Sequence, residues 1–90
     1  MYLHLGSGVI LNQRNIIGIF DMDKTTVTQK GRVYLSNKEK RGKIVNVTDK
    51  IPKSFVLYVE KKEERIYISQ MSTSTLLKRS LLENCKNINN

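Results

Sequence analysis

The chain has few of the residues that form cross-links, metal sites or rigid turns. Its 90 residues include one cysteine, one histidine, one proline and no tryptophan. A disulfide takes two cysteines and a structural zinc site normally takes four Cys or His ligands, so Cys85 and His4 provide neither within one chain. We therefore expect no metal and no cofactor, and one small domain whose stability rests on an apolar core.

Long hydrophobic stretches are also missing. No apolar run approaches the roughly 20 residues that a membrane-spanning helix needs. The N-terminal stretch MYLHLGSGVIL lacks a leading basic region, and Gly6 and Gly8 interrupt it too early for a signal sequence. These features predict a cytoplasmic protein.

Acidic residues are scarce compared with basic ones. The chain carries 16 Lys and Arg against 8 Asp and Glu, a formal net charge of +8. Between Lys24 and Lys53 there are nine basic residues and two acidic ones, a net of +7. Such a block favours an anionic polymer as partner. Nucleic acid is the first candidate and an anionic membrane surface ranks behind it, whereas a small-molecule substrate is not expected.

The stretch Asp49–Glu60 predicts a strand at the centre of the fold. Residues 54–59 are largely β-branched, aromatic or aliphatic, and Pro52 favours a turn just before them. Alternation puts apolar side chains on both faces, so this strand should be covered on both sides. Lys50 and Lys53 lie in the turn that leads into it.

The remaining patterns predict an α+β fold, a small, mostly antiparallel sheet with two short helices. We expect a hairpin of Tyr2–Leu5 with Val9–Leu11, strands over Ile16–Phe20, Lys43–Val47 and Arg65–Ser69, and helices over Thr28–Arg41 and Leu76 to about Asn84. The four charged residues Lys61–Glu64 should form the hairpin tip between the central strand and the strand that follows it. Residues 1–83 should form the domain and residues 84–90 a flexible polar tail. Two helices are few for strands that are apolar on both faces, so we predict an oligomer, in which another copy covers part of the sheet.

Two local motifs have a catalytic or anion-binding interpretation. The stretch IIGIFDMDKT resembles the first motif of haloacid-dehalogenase-type phosphatases, in which Asp21 and Asp23 would handle a phosphoryl group and Mg²⁺. The acids further along the chain do not supply the pair that this chemistry also needs. The simpler interpretation is that Asp23 or Thr25 caps the next helix while Asp21 turns the chain, and we expect no enzyme. The second motif, MSTSTLLKRS, could hold a phosphate at a helix N-terminus or form an ordinary capped helix.

Taken in order, four stretches of the chain resemble the RemA/RemB family of bacterial extracellular-matrix regulators, and the RemB branch most. They are MYLHLGSGVIL, RNIIGIFD, KIVNVTDKIPKSFVLYV and IYISQMSTSTLLKRS, and together they extend over about residues 1–82. The resemblance implies a cytoplasmic DNA-binding protein that activates biofilm matrix genes. It also implies a ring-like or higher oligomer that presents basic residues from many subunits to one stretch of DNA.

The resemblance and the charge pattern together predict the DNA contacts. Arg14 and Arg79 match arginines of the family, and we add Lys50, Lys53 and Lys78. A further basic surface is expected from Lys30, Arg32, Lys40, Arg41 and Lys43.

The sequence departs from the RemA branch in one place, the turn before the central strand. It has Lys50-Ile51-Pro52-Lys53 where that branch has an arginine cluster, and lysines cannot make the bidentate contacts of arginines. The alternative hypothesis is therefore a structural protein that assembles with a paralogue or an anionic surface without binding DNA. A haloacid-dehalogenase-type phosphatase is the third hypothesis.

Overall fold

The protein consists of a β-hairpin, a four-stranded sheet and three α-helices. The computed structural model describes the backbone of residues 2–88 and the side chains of residues 2–80. The hairpin joins β1 (Tyr2–Gly6) to β2 (Val9–Asn12), and these strands form a separate antiparallel sheet. Gly6, Ser7 and Gly8 all have positive φ, between 52° and 95°, so the two glycines make the predicted tight turn possible.

The larger sheet contains β3 (Ile16–Asp21), β4 (Ile44–Asn46), β5 (Ser54–Glu60) and β6 (Glu63–Ser69). Its strand order is β3-β5-β6-β4, so β5 is internal, as predicted. The β3–β5 and β5–β6 pairs are antiparallel, whereas β4 runs parallel to β6. The α+β fold and the mostly antiparallel pairing are thereby confirmed, although the strands divide into two sheets where one was expected.

The two faces of β5 contribute to two separate apolar clusters. On one face, Val56 and Tyr58 pack with leucines from the hairpin and with Leu76. On the other face, Phe55 packs with Met22 and Ile66. The chain therefore covers both faces of its central strand by itself. On the edge strand β3, by contrast, two apolar side chains remain accessible to solvent: Ile17 is 63% exposed and Phe20 is 42% exposed.

Residues 2–88 contain three α-helices where two were predicted. They are α1 (Met22–Thr26), α2 (Gln29–Lys40) and α3 (Thr73–Ile88). The predicted turn over Asp21–Thr26 is helix α1, and its cap is Asp21, not Asp23 or Thr25. Asp21 ends β3 in an extended conformation, and from there its Oδ1 accepts the N–H of Lys24 at 2.9 Å.

The predicted boundaries of α2 are confirmed to within a residue. The Thr28 hydroxyl accepts the N–H of Gly31 at 3.0 Å at the start of the helix, and Gly42 follows its end with φ of 69°. Gly31 is unfavourable for a helix but is required by packing. A Cβ at this position would lie 2.0 Å from the carbonyl oxygen of Thr25, so α1 and α2 could not approach as they do.

Helix α3 begins earlier than predicted, at Thr73, and its backbone is helical as far as Ile88. No helix within residues 2–88 is long and apolar enough to cross a membrane. The predicted flexible tail over residues 84–90 overlaps the last five residues of this helical backbone, while residues 89–90 and the side chain of Cys85 lie outside the described residues.

The β5–β6 hairpin has a shorter tip than the four charged residues predicted. Glu60 pairs with Glu63, which leaves only Lys61 and Lys62 in the turn. Both lysines have positive φ, 51° and 68°, the left-handed conformation that two-residue hairpin turns require. Lysine adopts this conformation less readily than asparagine or glycine.

We predict that replacing this dipeptide by Asn-Gly stabilises the protein. The double variant Lys61→Asn, Lys62→Gly should raise the free energy of unfolding by about 1 kcal/mol, because Asn-Gly suits the turn. Urea denaturation measures the change. The control Lys61→Gln, Lys62→Gln removes the same charges but keeps residues that disfavour positive φ. Equal stabilisation of both variants would therefore show that charge is responsible.

Candidate nucleic-acid interface

The basic turn Asp49–Lys53 is fixed to the sheet at its C-terminal side. The N–H of Lys53 donates to the carbonyl of Ser69 at 2.9 Å, and the carbonyl of Lys53 accepts the N–H of Met22 at 3.0 Å. Lys53 is therefore held between the end of β6 and the start of α1. Its backbone is fixed while its side chain is exposed.

The other side of the turn is held by Thr48. The Thr48 hydroxyl accepts the N–H of Lys50 at 2.9 Å and donates to Oε1 of Gln70 at 2.6 Å. Because Gln70 directly follows β6, this hydrogen bond connects the start of the turn to the same end of the sheet. Both sides of a short turn that contains Pro52 are thus constrained.

Two buried serines close this end of the sheet. Ser54 and Ser69 are opposite each other in the β5–β6 pair, and both are fully buried. The Ser54 hydroxyl donates to the carbonyl of Met71 at 2.6 Å, and the Ser69 hydroxyl accepts the N–H of Met71 at 3.0 Å. Their hydroxyls therefore satisfy the backbone of the segment that leads from β6 into α3.

The side chains of Lys50 and Lys53 are exposed and face no acidic partner. Among the side chains of residues 2–80, ion pairs join Lys38 to Glu64 and Arg65 to Glu63, both away from this turn. Lys24, in α1, lies at the same end of the sheet, because Asp21 pairs with Ser54. Lys24 belongs to the predicted basic block but not to the five predicted contacts, because only the β3–β5 register brings it to this end.

A second group of cations comprises Arg14, Lys78 and Arg79. Arg14 lies in a 3-10 turn, Gln13–Asn15, between β2 and β3. The Ser80 hydroxyl of α3 donates to Oε1 of Gln13 at 3.0 Å, which places α3 against this turn. Arg79 donates from Nη1 to the carbonyl of His4 at 3.3 Å, and Arg14 and Lys78 are exposed.

These two groups lie toward opposite ends of the central strand. The Tyr58 hydroxyl, near the end of β5, accepts Nδ2 of Asn15 at 3.3 Å, whereas Lys53 precedes the first residue of that strand. Four residues of strand from Ser54 to Tyr58 are roughly 14 Å long. The five predicted contacts therefore form two separate groups on one protomer.

The additional basic surface follows α2. Its members are Lys30, Arg32, Lys40, Arg41 and Lys43, of which all but the half-buried Lys43 are exposed. Arg32 also has a structural contact, because its Nη1 donates to the carbonyl of Thr26 at 2.8 Å and links α1 to α2.

Two side chains near the hairpin tip, Glu64 and Arg65, have shifted pKa values. The hydrogen bond and charge of Lys38 lower the pKa of Glu64 below its ordinary value. The Tyr67 hydroxyl and then the Glu63 carboxylate raise the pKa of Arg65, which is charged in any case. The Lys38–Glu64 pair connects α2 to β6 near the tip, the Arg65–Glu63 pair lies within β6, and neither includes a residue of the two groups of predicted contacts.

The two motifs with alternative interpretations both serve as helix caps. Ser72 Oγ accepts the N–H of Thr75 at 3.2 Å at the start of α3, and Asp21 caps α1. Within the part of the chain that the structure describes, no cluster of three or more His, Cys, Asp or Glu could hold a metal ion around Asp21 and Asp23 or elsewhere.

Tyrosine side chains can stack on nucleic-acid bases, but those of this protein are divided between core and surface. Tyr58 is only 6% exposed and packs edge-to-face with Tyr67, with ring centroids 5.6 Å apart. Tyr2 and Tyr34 are exposed.

Comparison with known proteins identifies the family. No family model matches the chain. A curated relative, extracellular matrix regulatory protein B of Bacillus subtilis (strain 168), is 38% identical over 80 residues, which cover 89% of this chain and 90% of that protein. The chain belongs to the RemA/RemB family. Because the match to the RemB protein takes in nearly the whole of both chains, the family assignment applies to the full domain, as the sequence resemblance predicted.

We predict that the buried serine of β5 stabilises the end of the sheet that carries the basic turn. Ser54→Ala should lower the free energy of unfolding by about 1–3 kcal/mol, because it leaves the Met71 carbonyl without its side-chain donor in a buried site. Chemical denaturation measures the loss.

Ser36→Ala, on the exposed surface of α2, is the matched control and should change stability by less than about 0.5 kcal/mol. Equal stability of the Ser54 variant and the wild type would contradict the structural role of this hydrogen bond.

Proposed function

We propose that this protein regulates extracellular matrix genes by binding double-stranded DNA in the cytoplasm, as an oligomer that displays basic residues from several subunits. The relative's name, extracellular matrix regulatory protein B, supports the regulatory role. The fixed turn with two exposed, unpaired lysines is the observation that carries the DNA-binding part. Cations held on a rigid strand end suit contacts to the phosphate backbone.

The separation of the two cationic groups favours an oligomer in this proposal. A single protomer offers Lys50 and Lys53 at one end of β5, and Arg14, Lys78 and Arg79 toward the other. Each group alone supplies few phosphate contacts, and repetition over several subunits multiplies weak contacts into useful avidity. The apolar side chains of Ile17 and Phe20, exposed on the edge strand β3, suit contact with a second copy.

A second candidate function is a structural partner that assembles with a paralogue or an anionic surface without binding DNA. The exposed edge strand favours association in either case. Two lysines in the turn, in place of forked guanidinium groups, favour this alternative over base recognition. The two functions differ in what happens when the turn loses its positive charge.

We predict that charge reversal in the turn weakens DNA binding. Lys50→Glu, Lys53→Glu should raise the dissociation constant for a duplex at least about 10-fold at low salt and reduce the salt dependence of binding, because phosphate contacts and their released counterions are lost. Fluorescence anisotropy over a series of salt concentrations measures both quantities.

The matched control is Lys61→Glu, Lys62→Glu, which makes the same change in net charge at the opposite end of β5. It should raise the dissociation constant for the duplex by less than about 3-fold. Equal losses in the two variants would show that only overall charge matters. Unchanged binding of the turn variant would favour the structural partner. A wild-type protein that binds no duplex at low salt would refute the DNA-binding function.

A further inference from the structure

The basic turn ends in an apolar tip. Ile51, between Lys50 and Pro52, is 83% exposed, the highest exposure among the large hydrophobic side chains described. A single exposed isoleucine is ordinary on a protein surface. This one differs in its setting, because a proline follows it, a lysine lies on each side, and hydrogen bonds from Thr48 and Lys53 hold both sides of the turn.

We propose that the Ile51–Pro52 tip is a wedge that inserts into the minor groove of the bound DNA and bends it, an inference that rests on the proposed DNA-binding function. Isoleucine and proline are among the side chains that wedge between base steps in minor-groove complexes. Insertion of this kind partly unstacks one step and kinks the duplex by about 20–90°.

The positions of the two lysines fit a minor groove. Lys50 and Lys53 are three residues apart, so their Cα atoms are separated by at most about 11 Å. The minor groove is about 6 Å wide, and lysine side chains on either side of an inserted tip can therefore reach the phosphates of both strands. The cations would hold the backbone while the apolar tip enters between them.

Charge complementarity favours DNA over two other occupants of this surface. A second copy joined tip to tip would bring four lysines together, and like charges disfavour that contact. An anionic membrane would attract the lysines, but one isoleucine with one proline offers far less apolar area than the amphipathic helices that anchor proteins to membranes. The shallow groove beside the tip is lined by Lys50, Ile51, Lys53 and Gln70, of which two are cationic and none is acidic.

The test measures DNA bending separately from DNA binding. A duplex of about 30 base pairs carries a donor and an acceptor dye at its ends, and energy transfer at saturating protein reports the bend. Wild type should increase energy transfer. Ile51→Ala should still saturate the duplex, with the dissociation constant raised about 3- to 10-fold and an unchanged salt dependence, but energy transfer should remain at the value of free DNA. Ile51→Met, which keeps a wedge side chain, should restore the bend.

The control is Ile10→Ala, a change at another exposed isoleucine, 52% exposed on β2, and it should bend DNA as wild type does. Bound but unbent DNA with wild type, or equal bending by wild type and Ile51→Ala, would overturn the wedge and leave the proposed function standing. A wild type that binds no duplex would overturn both.

The same variants test the other occupants. A lower oligomer mass of Ile51→Ala in light scattering would identify the tip as a contact between copies, and overturn the wedge. If Ile51→Ala no longer binds phosphatidylserine vesicles but bends DNA as wild type does, the tip is a membrane contact. That result would also overturn the wedge.

Discussion

The hydrogen bonds that close one end of the β5–β6 pair determine where the basic turn, one of the two groups of predicted contacts, lies. The buried hydroxyls of Ser54 and Ser69 bind the backbone of Met71, and Lys53 is held between Ser69 and Met22. The basic turn and helix α1 are therefore fixed at a single point, and the segment entering α3 is fixed beside it. Buried polar groups are costly unless they are paired, so the serines specify this arrangement as well as stabilise it.

The net positive charge of the chain acts against the folded structure that these hydrogen bonds stabilise. A net charge of +8 in 90 residues opposes compaction, and the ion pairs among the described side chains lie near the hairpin tip, away from the predicted DNA contacts. An anionic polymer bound at the basic turn and along Arg14 and Arg79 would relieve this repulsion. The regulatory role of the RemB relative is consistent with such a partner, and the rigid turn with its exposed isoleucine offers a way to deform it.

The main strands were predictable because their signals are local. Composition and alternation identify β5 as central, two glycines with a serine mark the β1–β2 turn, and Thr28 and Gly42 mark the ends of α2. Helix α1 was missed because its five residues are too few for a helical period. The predicted four-residue tip does not place the two serines opposite each other, because it shifts the β5–β6 register by two residues. A two-residue tip at Lys61 and Lys62 fixes the register that places Ser54 opposite Ser69.

The site was less predictable than the fold. The individual cations are evident in the sequence, but their division into two groups depends on the antiparallel β3–β5 register and on the contact of α3 with Gln13. Neither has a local signal. The need for Gly31 is likewise tertiary, since the limiting distance is to Thr25 in another helix. Sequence patterns gave the fold class and the likeness to a family, whereas the arrangement of the cations required the structure.

Multi-angle light scattering, with and without a long duplex and at low and moderate salt, tests most directly whether an oligomer binds DNA through distributed cations. We expect a defined oligomer that gains the mass of DNA at low salt and releases it at moderate salt. An oligomer whose mass does not change with DNA would contradict the binding function and favour the structural partner. A monomer under all conditions would contradict the multiplied contacts on which the proposal depends.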